Sequence, residues 1–205
     1  MPLRSLLQSI RVIPVITIDN LADAAPLAKA LVEGGLTCLE LTLRTPVAFE
    51  ALEAMKAAVP EAIIGVGTVL EAKQLERAKA LGAQFAVSPG LTETLVRAAQ
   101  ALELPYLPGT ATLSEVMMGR ELGLSVVKFF PAEIAGGAKA LKAFGPLFED
   151  MKFVPTGGIS PSNANDYLSL ANVLAVGGSW MLPPDLIRTK AWDQIRELAR
   201  VASKL

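Results

Sequence analysis

The 205-residue sequence predicts an α/β fold, namely an eight-stranded parallel (β/α) TIM barrel with an extra N-terminal helix. Three observations lead to this fold class. Eight short runs rich in β-branched residues recur roughly 20 to 25 residues apart. Alanine- and leucine-rich segments with apolar residues at helical spacing separate these runs. No GxGxxG motif follows the first run, as a dinucleotide-binding sheet would require.

The eight runs are the predicted strands. Their residue ranges are 12–18, 38–43, 62–69, 85–90, 105–111, 125–132, 151–159 and 172–179. Unbroken alternation of strands and helices indicates a parallel sheet, either open and doubly wound or closed into a barrel. Eight is the strand number of the closed form, so we predict one barrel domain over residues 1–205. A helix over 3–10 precedes the first strand, and the last helix spans 191–203.

Capping residues predict where several helices begin and end. Thr45 and Ser160 each precede a proline that suits the first helical position. The segments Thr68–Glu71 and Thr112–Glu115 have the residue types of capping boxes. Glycine commonly follows the last turn of a helix because it adopts the left-handed conformation without strain. The glycines in such positions are Gly34, Gly35, Gly82 and Gly123.

Composition and charge exclude several classes of protein. Hydrophobic residues make up 52% and charged residues 19% of the chain, which is typical of a compact globular protein. The net charge is −1 and the basic residues are scattered, so we expect no nucleic-acid partner. The longest uncharged stretch, residues 167–184, contains prolines, glycines and polar side chains, so we expect no membrane span. The lack of signal-peptide features and the single cysteine indicate a cytoplasmic protein.

The chain contains no histidine. This absence excludes Ser–His and Cys–His nucleophile pairs, and it argues against a built-in transition-metal site. Acid–base chemistry must therefore come from carboxylates, lysine, tyrosine or the lone thiol. The thiol belongs to Cys38, which begins a predicted strand with no base beside it, so we predict that it is a core residue.

Lys128 is the candidate nucleophile. It stands among Val126, Val127, Phe129 and Phe130 near the C-terminal end of the predicted sixth strand, where catalytic residues of such barrels lie. A barrel strand is covered on both faces, so burial disfavours the charged ammonium and makes the neutral amine available to attack a ketone. The alternative is a lysine whose stem lies along apolar surface and whose amine reaches water.

The predicted second strand alternates between apolar and polar residues. Its leucines are expected to pack against helices, so that Glu40, Thr42 and Arg44 point into the barrel. In the functional interpretation, Glu40 transfers protons and Arg44, at the end of the strand, binds a carboxylate. In the structural alternative, these side chains form a polar network with Lys128 as counter-ion. Buried charges are a weak source of stability, which favours the functional interpretation.

Glycine pairs end the predicted seventh and eighth strands, in PTGGIS (155–160) and VGGSW (176–180). Glycine lets backbone N–H groups approach an anion closely, and Ser179 adds a hydroxyl donor. The loops after strands seven and eight are the usual phosphate site of such barrels. The two pairs therefore predict phosphate binding, whereas the alternative is a tight turn that needs glycine for its own geometry.

Several motifs make the chain similar, from end to end, to the KDPG/KHG aldolase family, the Schiff-base enzymes that act on 2-dehydro-3-deoxy-phosphogluconate. The motifs are LELTLRT (39–45), GVGTVL (65–70), FAVSPG (85–90), KFFPAE (128–133), PTGGIS (155–160) and GGSW (177–180). LELTLRT and KFFPAE together are specific to the family, unlike the glycine pairs. The resemblance implies a homotrimer of barrels that needs no metal or organic cofactor.

The resemblance also implies a role for each site residue. Lys128 matches the lysine that forms the Schiff base, and Glu40 matches the general acid/base. Arg44 and Thr68 match the residues that hold the carboxylate of pyruvate. Thr156 matches the threonine that influences aldehyde stereochemistry, and Phe130 forms part of the apolar wall. The phosphate-binding positions correspond to Gly157, Gly158, Gly178 and Ser179.

The expected activity is that of a carbon–carbon lyase of the Entner–Doudoroff pathway. It would cleave 2-dehydro-3-deoxy-6-phosphogluconate to pyruvate and glyceraldehyde 3-phosphate. Three alternatives remain open. The same chemistry could act mainly on 4-hydroxy-2-oxoglutarate or on the galactonate epimer. A phosphate-binding barrel isomerase or decarboxylase would share the glycine loops without needing a lysine nucleophile. A non-catalytic sugar-phosphate binder would retain affinity without Lys128.

Overall fold

The computed structural model describes residues 3–205, which contain eight parallel strands. The strands are β1 Val12–Ile16, β2 Cys38–Thr42, β3 Ile63–Gly67, β4 Ala86–Ser88, β5 Tyr106–Thr110, β6 Val126–Phe129, β7 Lys152–Pro155 and β8 Val176–Gly178. All eight predicted strands are present, and each is shorter than its predicted range. The predicted ranges included residues that leave the ladder to begin the following loop, such as Pro89, which has no N–H to donate.

The strands follow chain order around the sheet, and β8 returns to the side of β1. The pairing of Val12 with Val176 and of Ile13 with Gly177 joins these two strands in parallel. A single bridge between Thr156 and Gly177 brings the end of β7 against β8. The sheet is therefore a nearly closed barrel, which confirms the predicted fold class and excludes the open doubly wound sheet.

The helices lie between the strands and cover the barrel. They are α1 Leu3–Leu6, α2 Ala24–Glu33, α3 Ala48–Ala58, α4 Ala72–Ala80, α5 Glu93–Ala101, α6 Leu113–Glu121, α7 Gly137–Phe144, α8 Ala164–Leu168, α9 Pro184–Arg188 and α10 Trp192–Ala202. Short 3-10 turns over Leu21–Asp23 and Gly145–Leu147 precede α2 and follow α7. Within residues 3–205, none of the helices has the length and apolar character needed to cross a membrane.

Two apolar clusters hold the fold together. The larger cluster lies between the strands and the helices, where outward-facing Leu39 and Leu41 of β2 pack. The smaller cluster fills the lower barrel interior and includes Cys38, Phe85 and Val126. Leu7, which follows the short helix α1, is fully buried in this second cluster. Leu7 and the preceding α1 therefore close the end of the barrel at which the strands begin.

Three of the predicted helix starts were wrong. The Thr45 hydroxyl donates to the Ile18 carbonyl at 2.6 Å, and α3 begins only at Ala48. A capping box exists at α4, but it is formed by Glu71 and Gln74, three residues after Thr68. Helix α8 begins at Ala164 rather than after Ser160. In each case the β-strand-to-helix loop continues beyond the first residue that is able to cap.

The other capping box and three of the four predicted glycines agree with the sequence, whereas Gly34 ends α2 with a φ of −77° and is not left-handed. Thr112 and Glu115 form the predicted capping box of α6, with the Glu115 carboxylate accepting from the Thr112 amide at 2.8 Å. Gly35, Gly82 and Gly123 follow helices with φ of +93°, +80° and +82°. These left-handed conformations explain why glycine ends α2, α4 and α6.

Candidate active site

Lys128 and Glu40 meet inside the barrel. Strand β6 supplies Lys128 and strand β2 supplies Glu40, and the lysine Nζ lies 3.2 Å from the glutamate Oε1. Both side chains are buried, with 7% and 4% of their surfaces exposed. The strands alternate inward and outward, so both residues belong to inward rows above the apolar floor. The predicted burial of Lys128 is confirmed, and the alternative of an amine in open water is excluded.

Space for the Glu40 carboxylate comes from a glycine that the sequence analysis did not single out. Gly67 on β3 pairs in register with Thr42, two residues after Glu40 on β2. A Cβ atom on Gly67 would collide with the Glu40 carboxylate. The spacing of Gly65 and Gly67, two inward positions of one strand, was the available signal, because alternating glycines leave one face of a strand bare.

An aromatic ring lies beside Lys128, and a buried thiol lies near Glu40. The Phe130 ring lies beside the amine, with its centroid 5.3 Å from Lys128 Nζ, which supports its predicted place in the apolar wall. Cys38 lies two residues before Glu40 on the same inward row. Burial, together with the charge of Glu40, raises the pKa of the Cys38 thiol to about 12. The thiol therefore stays protonated at neutral pH, and its predicted core position is confirmed.

Arg44 and Thr68 are brought together by the turns that follow β2 and β3. The Arg44 Nε donates to the Thr68 Oγ1 at 3.1 Å. Thr68 has a φ of +59°, a left-handed conformation that is strained for a β-branched residue. Arg44 is exposed at the barrel mouth rather than packed inside it. A bidentate grip on a carboxylate needs only the remaining N–H groups of the guanidinium.

The loop after β7 contains three of the predicted site residues. Thr156 is buried, and a Cβ atom on Gly177 would collide with its side chain. Gly157 and Gly158 have φ of +102° and +76°, so the backbone turns here in a conformation that favours glycine. The geometry fits a loop that presents backbone N–H groups, and the phosphate-binding role of both glycines stays a prediction.

Glu133 supports this loop, although the sequence analysis gave it no role. Its amide donates to the Gly157 carbonyl at 3.2 Å, and its side chain occupies the space that a Cβ of Gly158 would need. The Tyr167 hydroxyl donates to the Glu133 carboxylate. Burial and this hydrogen bond both raise the pKa of Tyr167. The final residue of KFFPAE therefore fixes the glycine turn.

Strand β8 ends in a packed glycine, Gly178, and an exposed serine, Ser179, follows it. Gly178 is buried, and the Trp180 indole lies where its Cβ would be. Ser179 is exposed and lines a cavity of about 530 Å³ at the mouth of the barrel, between β1 and β8. Gly178 thus has a packing reason for being glycine, and the phosphate-binding role of both residues stays a prediction.

Comparison with known proteins places this chain in a family. Residues 3–198 match the family model described as KDPG and KHG aldolase. The chain belongs to the KDPG and KHG aldolase family. The KHG/KDPG aldolase of Escherichia coli (strain K12) is 51% identical to it over 198 residues, which cover 97% of this chain and 93% of that protein. The 2-dehydro-3-deoxy-phosphogluconate aldolase of Dickeya dadantii (strain 3937) is 52% identical over 191 residues, which cover 93% and 90%.

The fold of the KDPG and KHG aldolase family is also found among solved structures. One is the KDPG aldolase of Legionella pneumophila, with pyruvate captured at low pH as a covalent carbinolamine intermediate. It superposes with a TM-score of 0.95 at 46% identity and covers 98% of both chains. The resemblance stated from the sequence motifs is thereby confirmed for the whole barrel.

Proposed function

We propose that this chain is a Schiff-base aldolase that cleaves 2-dehydro-3-deoxy-6-phosphogluconate to pyruvate and glyceraldehyde 3-phosphate. The observation that carries the proposal is the buried contact between the Lys128 amine and the Glu40 carboxylate. A nucleophile within one hydrogen bond of a proton carrier is the arrangement that imine chemistry needs. Family membership and the covalent pyruvate intermediate of the Legionella pneumophila relative support the same chemistry.

The first half of the reaction forms the imine. Glu40 takes one proton from the Lys128 ammonium, and the freed amine attacks the C2 ketone. Glu40 gives that proton to the C2 oxygen, which forms the carbinolamine hydroxyl. It then takes a second proton from the nitrogen and gives it to this hydroxyl, which leaves as water. At 3.2 Å, the two side chains can exchange this proton directly. The resulting iminium draws electrons toward C2.

The second half breaks the C3–C4 bond. The Glu40 carboxylate takes the proton of the C4 hydroxyl, and the electrons of the C3–C4 bond move into the iminium. Glyceraldehyde 3-phosphate leaves, and an enamine remains on Lys128. Protonation of the enamine at C3 and hydrolysis of the imine then release pyruvate. One buried carboxylate, that of Glu40, takes a proton in both halves of the reaction.

Residues on different loops hold the two ends of the substrate. Arg44, with Thr68 beside it, binds the C1 carboxylate. The backbone N–H groups of Gly157 and Gly158, together with Gly178 and Ser179, bind the phosphate. Thr156 lies between these ends and contacts the aldehyde half. Fixing both ends orients the C3–C4 bond over the Lys128–Glu40 pair.

A second candidate substrate is 4-hydroxy-2-oxoglutarate. It has the same 2-keto carboxylate and the same hydroxyl at C4, and the Escherichia coli relative is named as an aldolase of both compounds. The Lys128 chemistry is identical for both substrates. They differ at the far end, where one has a phosphate and the other a carboxylate.

Borohydride trapping tests the proposal. Reduction in the presence of pyruvate should add a stable pyruvate-derived mass to Lys128, located by peptide mass mapping. Lys152→Met is a matched control, because Lys152 begins the neighbouring strand β7 and its amine donates to the Ala171 carbonyl. This variant should be trapped as the wild type is. An isomerase, a decarboxylase or a simple binder would give no adduct, and cleavage that EDTA abolishes would contradict a Schiff-base mechanism.

The proposal includes assembly and location. By family resemblance the chain forms a homotrimer in the cytoplasm. Sedimentation at micromolar concentration should give three times the chain mass of 21.6 kDa. A monomer that cleaves the substrate at full rate would separate the assembly from the activity.

A further inference from the structure

The loop after β6 supports the glycine turn after β7 from one side. The Ala132 amide donates to the Thr156 carbonyl at 2.8 Å, and the Glu133 amide donates to the Gly157 carbonyl at 3.2 Å. The side-chain carbons of Glu133 also fill the space beside Gly158 that a Cβ atom would need. Glu133 therefore contacts the turn through both its backbone and its side chain.

This support determines where the amide of Gly158 points. In a planar trans peptide, the carbonyl of one residue and the N–H of the next point in opposite directions. The Gly157 carbonyl faces the Glu133 amide, so the Gly158 N–H faces the opposite side of the turn. Within residues 3–205, no backbone carbonyl accepts a hydrogen bond from this N–H. A backbone donor that is fixed in direction and has no such partner is suited to an anion.

The next peptide of the turn is held by Asn163. The Asn163 Nδ2 donates to the Gly158 carbonyl at 3.0 Å, and its Oδ1 accepts from the Ser160 amide at 2.8 Å. Gly157 and Gly158 both have positive φ, and glycine has more backbone freedom than any other residue. Two consecutive glycines keep one conformation only if their neighbours hold them, and here the carbonyls of both are bound.

Tyr167 holds the Glu133 side chain against the turn. Its hydroxyl donates to the Glu133 carboxylate, and its ring is 1% exposed within the larger apolar cluster. Glu133 itself is exposed, so its side chain would otherwise rotate in solvent. The buried tyrosine is therefore the fixed end of this hydrogen bond. Tyr167 belongs to α8, so the bond also keeps the carboxylate toward the helical layer outside the strands.

We propose that Tyr167, acting through Glu133, positions the glycine turn for the phosphate of the substrate. Tyr167 is a positioning residue, because its side chain is buried outside the strands and acts on the turn only through Glu133. It thereby sets the preference for the phosphorylated substrate over 4-hydroxy-2-oxoglutarate. The inference rests on the proposed function, in which the N–H groups of Gly157 and Gly158 bind the phosphate. Without the tyrosine hydroxyl, the turn is less fixed and the carboxylate is free to swing toward the phosphate.

Tyr167→Phe tests this role, because it removes the hydroxyl and keeps the buried ring. The value of kcat/KM for the phosphorylated substrate should fall about 3- to 10-fold, the effect of one lost hydrogen bond. The value for 4-hydroxy-2-oxoglutarate, which has no phosphate, should stay within about two-fold of wild type. Inorganic phosphate, used as a competitive inhibitor, should bind the variant more weakly by the same factor as kcat/KM falls.

Two further variants separate positioning from a general loss of stability. Glu133→Gln retains the carbons beside Gly158 and an oxygen that accepts from Tyr167, so it should lose less than Tyr167→Phe. Tyr106→Phe is the matched control, because Tyr106 is buried in the same cluster and donates its hydroxyl to Ser88. It should leave the ratio of the two kcat/KM values unchanged. Equal losses for both substrates in Tyr167→Phe, or no loss for either, would overturn the proposal.

Borohydride trapping of pyruvate separates this inference from the proposed function. Pyruvate has no phosphate, so Tyr167→Phe should form the Lys128 adduct as the wild type does. A wild type without the adduct would overturn the aldolase proposal and this inference with it. A normal adduct in both proteins, with the same substrate preference in both, would overturn this inference alone.

Discussion

The lower and upper layers of the barrel interior come from the same strands and differ in chemistry. On β2 the inward row passes from Cys38 to Glu40, and on β6 it passes from Val126 to Lys128. The lower pair belongs to an apolar cluster, and the upper pair forms an ion pair. Two residues along a strand are therefore enough to change from core to candidate active site.

The comparison shows that the apolar lower layer stabilises the barrel on which the upper Lys128–Glu40 pair is built. The lower layer removes apolar surface from water and is closed by Leu7 below. The upper layer contributes little to stability, because a buried ion pair recovers little more than its desolvation cost. Its geometry is instead set by neighbours such as Gly67, which leaves space for the Glu40 carboxylate. Stability and chemistry are thus separated along each strand.

Lys128→Met should have the largest effect on activity. The variant removes the nucleophile, so cleavage should fall by roughly 10⁴-fold or more, measured as kcat with the phosphorylated substrate. It also leaves the Glu40 carboxylate buried without its partner, which should lower the free energy of unfolding by about 3–5 kcal/mol. Activity within ten-fold of wild type would mean that the upper layer is structural.

The double variant Lys128→Met/Glu40→Leu sharpens the comparison, because it gives the upper layer apolar side chains like those of the lower layer. Replacing a buried ion pair by apolar side chains is often neutral or stabilising by about 1–4 kcal/mol. We expect the double variant to unfold at wild-type urea concentrations or above, and to be inactive. A double variant less stable than Lys128→Met would show that the pair has a structural task.

Glu40→Gln should have the next largest effect. The amide has the size of the carboxylate but cannot accept a proton, so kcat should fall roughly 10²-fold or more. Borohydride trapping of pyruvate on Lys128 measures how far imine formation depends on Glu40, separately from C3–C4 cleavage. Turnover within a few-fold of wild type would make Glu40 a structural counter-ion.

Gly67→Ala tests whether the space beside Glu40 matters. The new methyl group should displace the carboxylate, and a displacement of about 1 Å can cost on the order of 10²-fold in rate. Gly90→Ala is the matched control, because a Cβ atom there meets nothing within 4 Å. If the two variants have the same kcat, the glycine of β3 does not position the carboxylate.

Ser179→Ala should have a smaller effect that depends on substrate. Loss of one hydrogen bond to a charged group should lower kcat/KM for the phosphorylated substrate about 10- to 150-fold. Cleavage of 4-hydroxy-2-oxoglutarate, which has no phosphate, should barely change. Arg44→Ala should impair both substrates, because both have a 2-keto carboxylate. Equal losses for the two substrates in Ser179→Ala would show that the loop shapes the mouth without binding phosphate.

Cys38→Ala should have the smallest effect, and we expect it only in how the free energy of unfolding depends on pH above about 9. The pKa of its thiol is raised to about 12 in the folded protein, so its contribution is complete below the unfolded pKa near 9. The contribution is lost as pH rises from about 9 toward 12, and the stability lost by pH 10 is about 1.4 kcal/mol. Urea unfolding at pH 7 and pH 10 should show a smaller decrease for Cys38→Ala than for the wild type. Parallel decreases would mean that the thiol is not protected.

The strands were predictable from the sequence because each one shows its pattern in a few consecutive residues. Alternation in β2 placed Glu40 on the inward face, and the apolar neighbours of Lys128 placed it in a covered strand. Both inferences need only the period of a strand and the cover of a parallel sheet. Helix starts at Thr45 and Thr68 were less predictable, because several nearby residues can cap and the loop geometry selects among them.

Contacts between distant residues were decided by the tertiary structure alone. Glu40 and Lys128 are 88 residues apart, and no local period relates two strands on opposite sides of a barrel. The same holds for the Trp180 ring above Gly178, because a glycine in the sequence does not tell which group needs its space. The sequence by itself determined which residues face inward. Closure of the barrel decided which of them touch, because it brings inward rows from different strands into one interior.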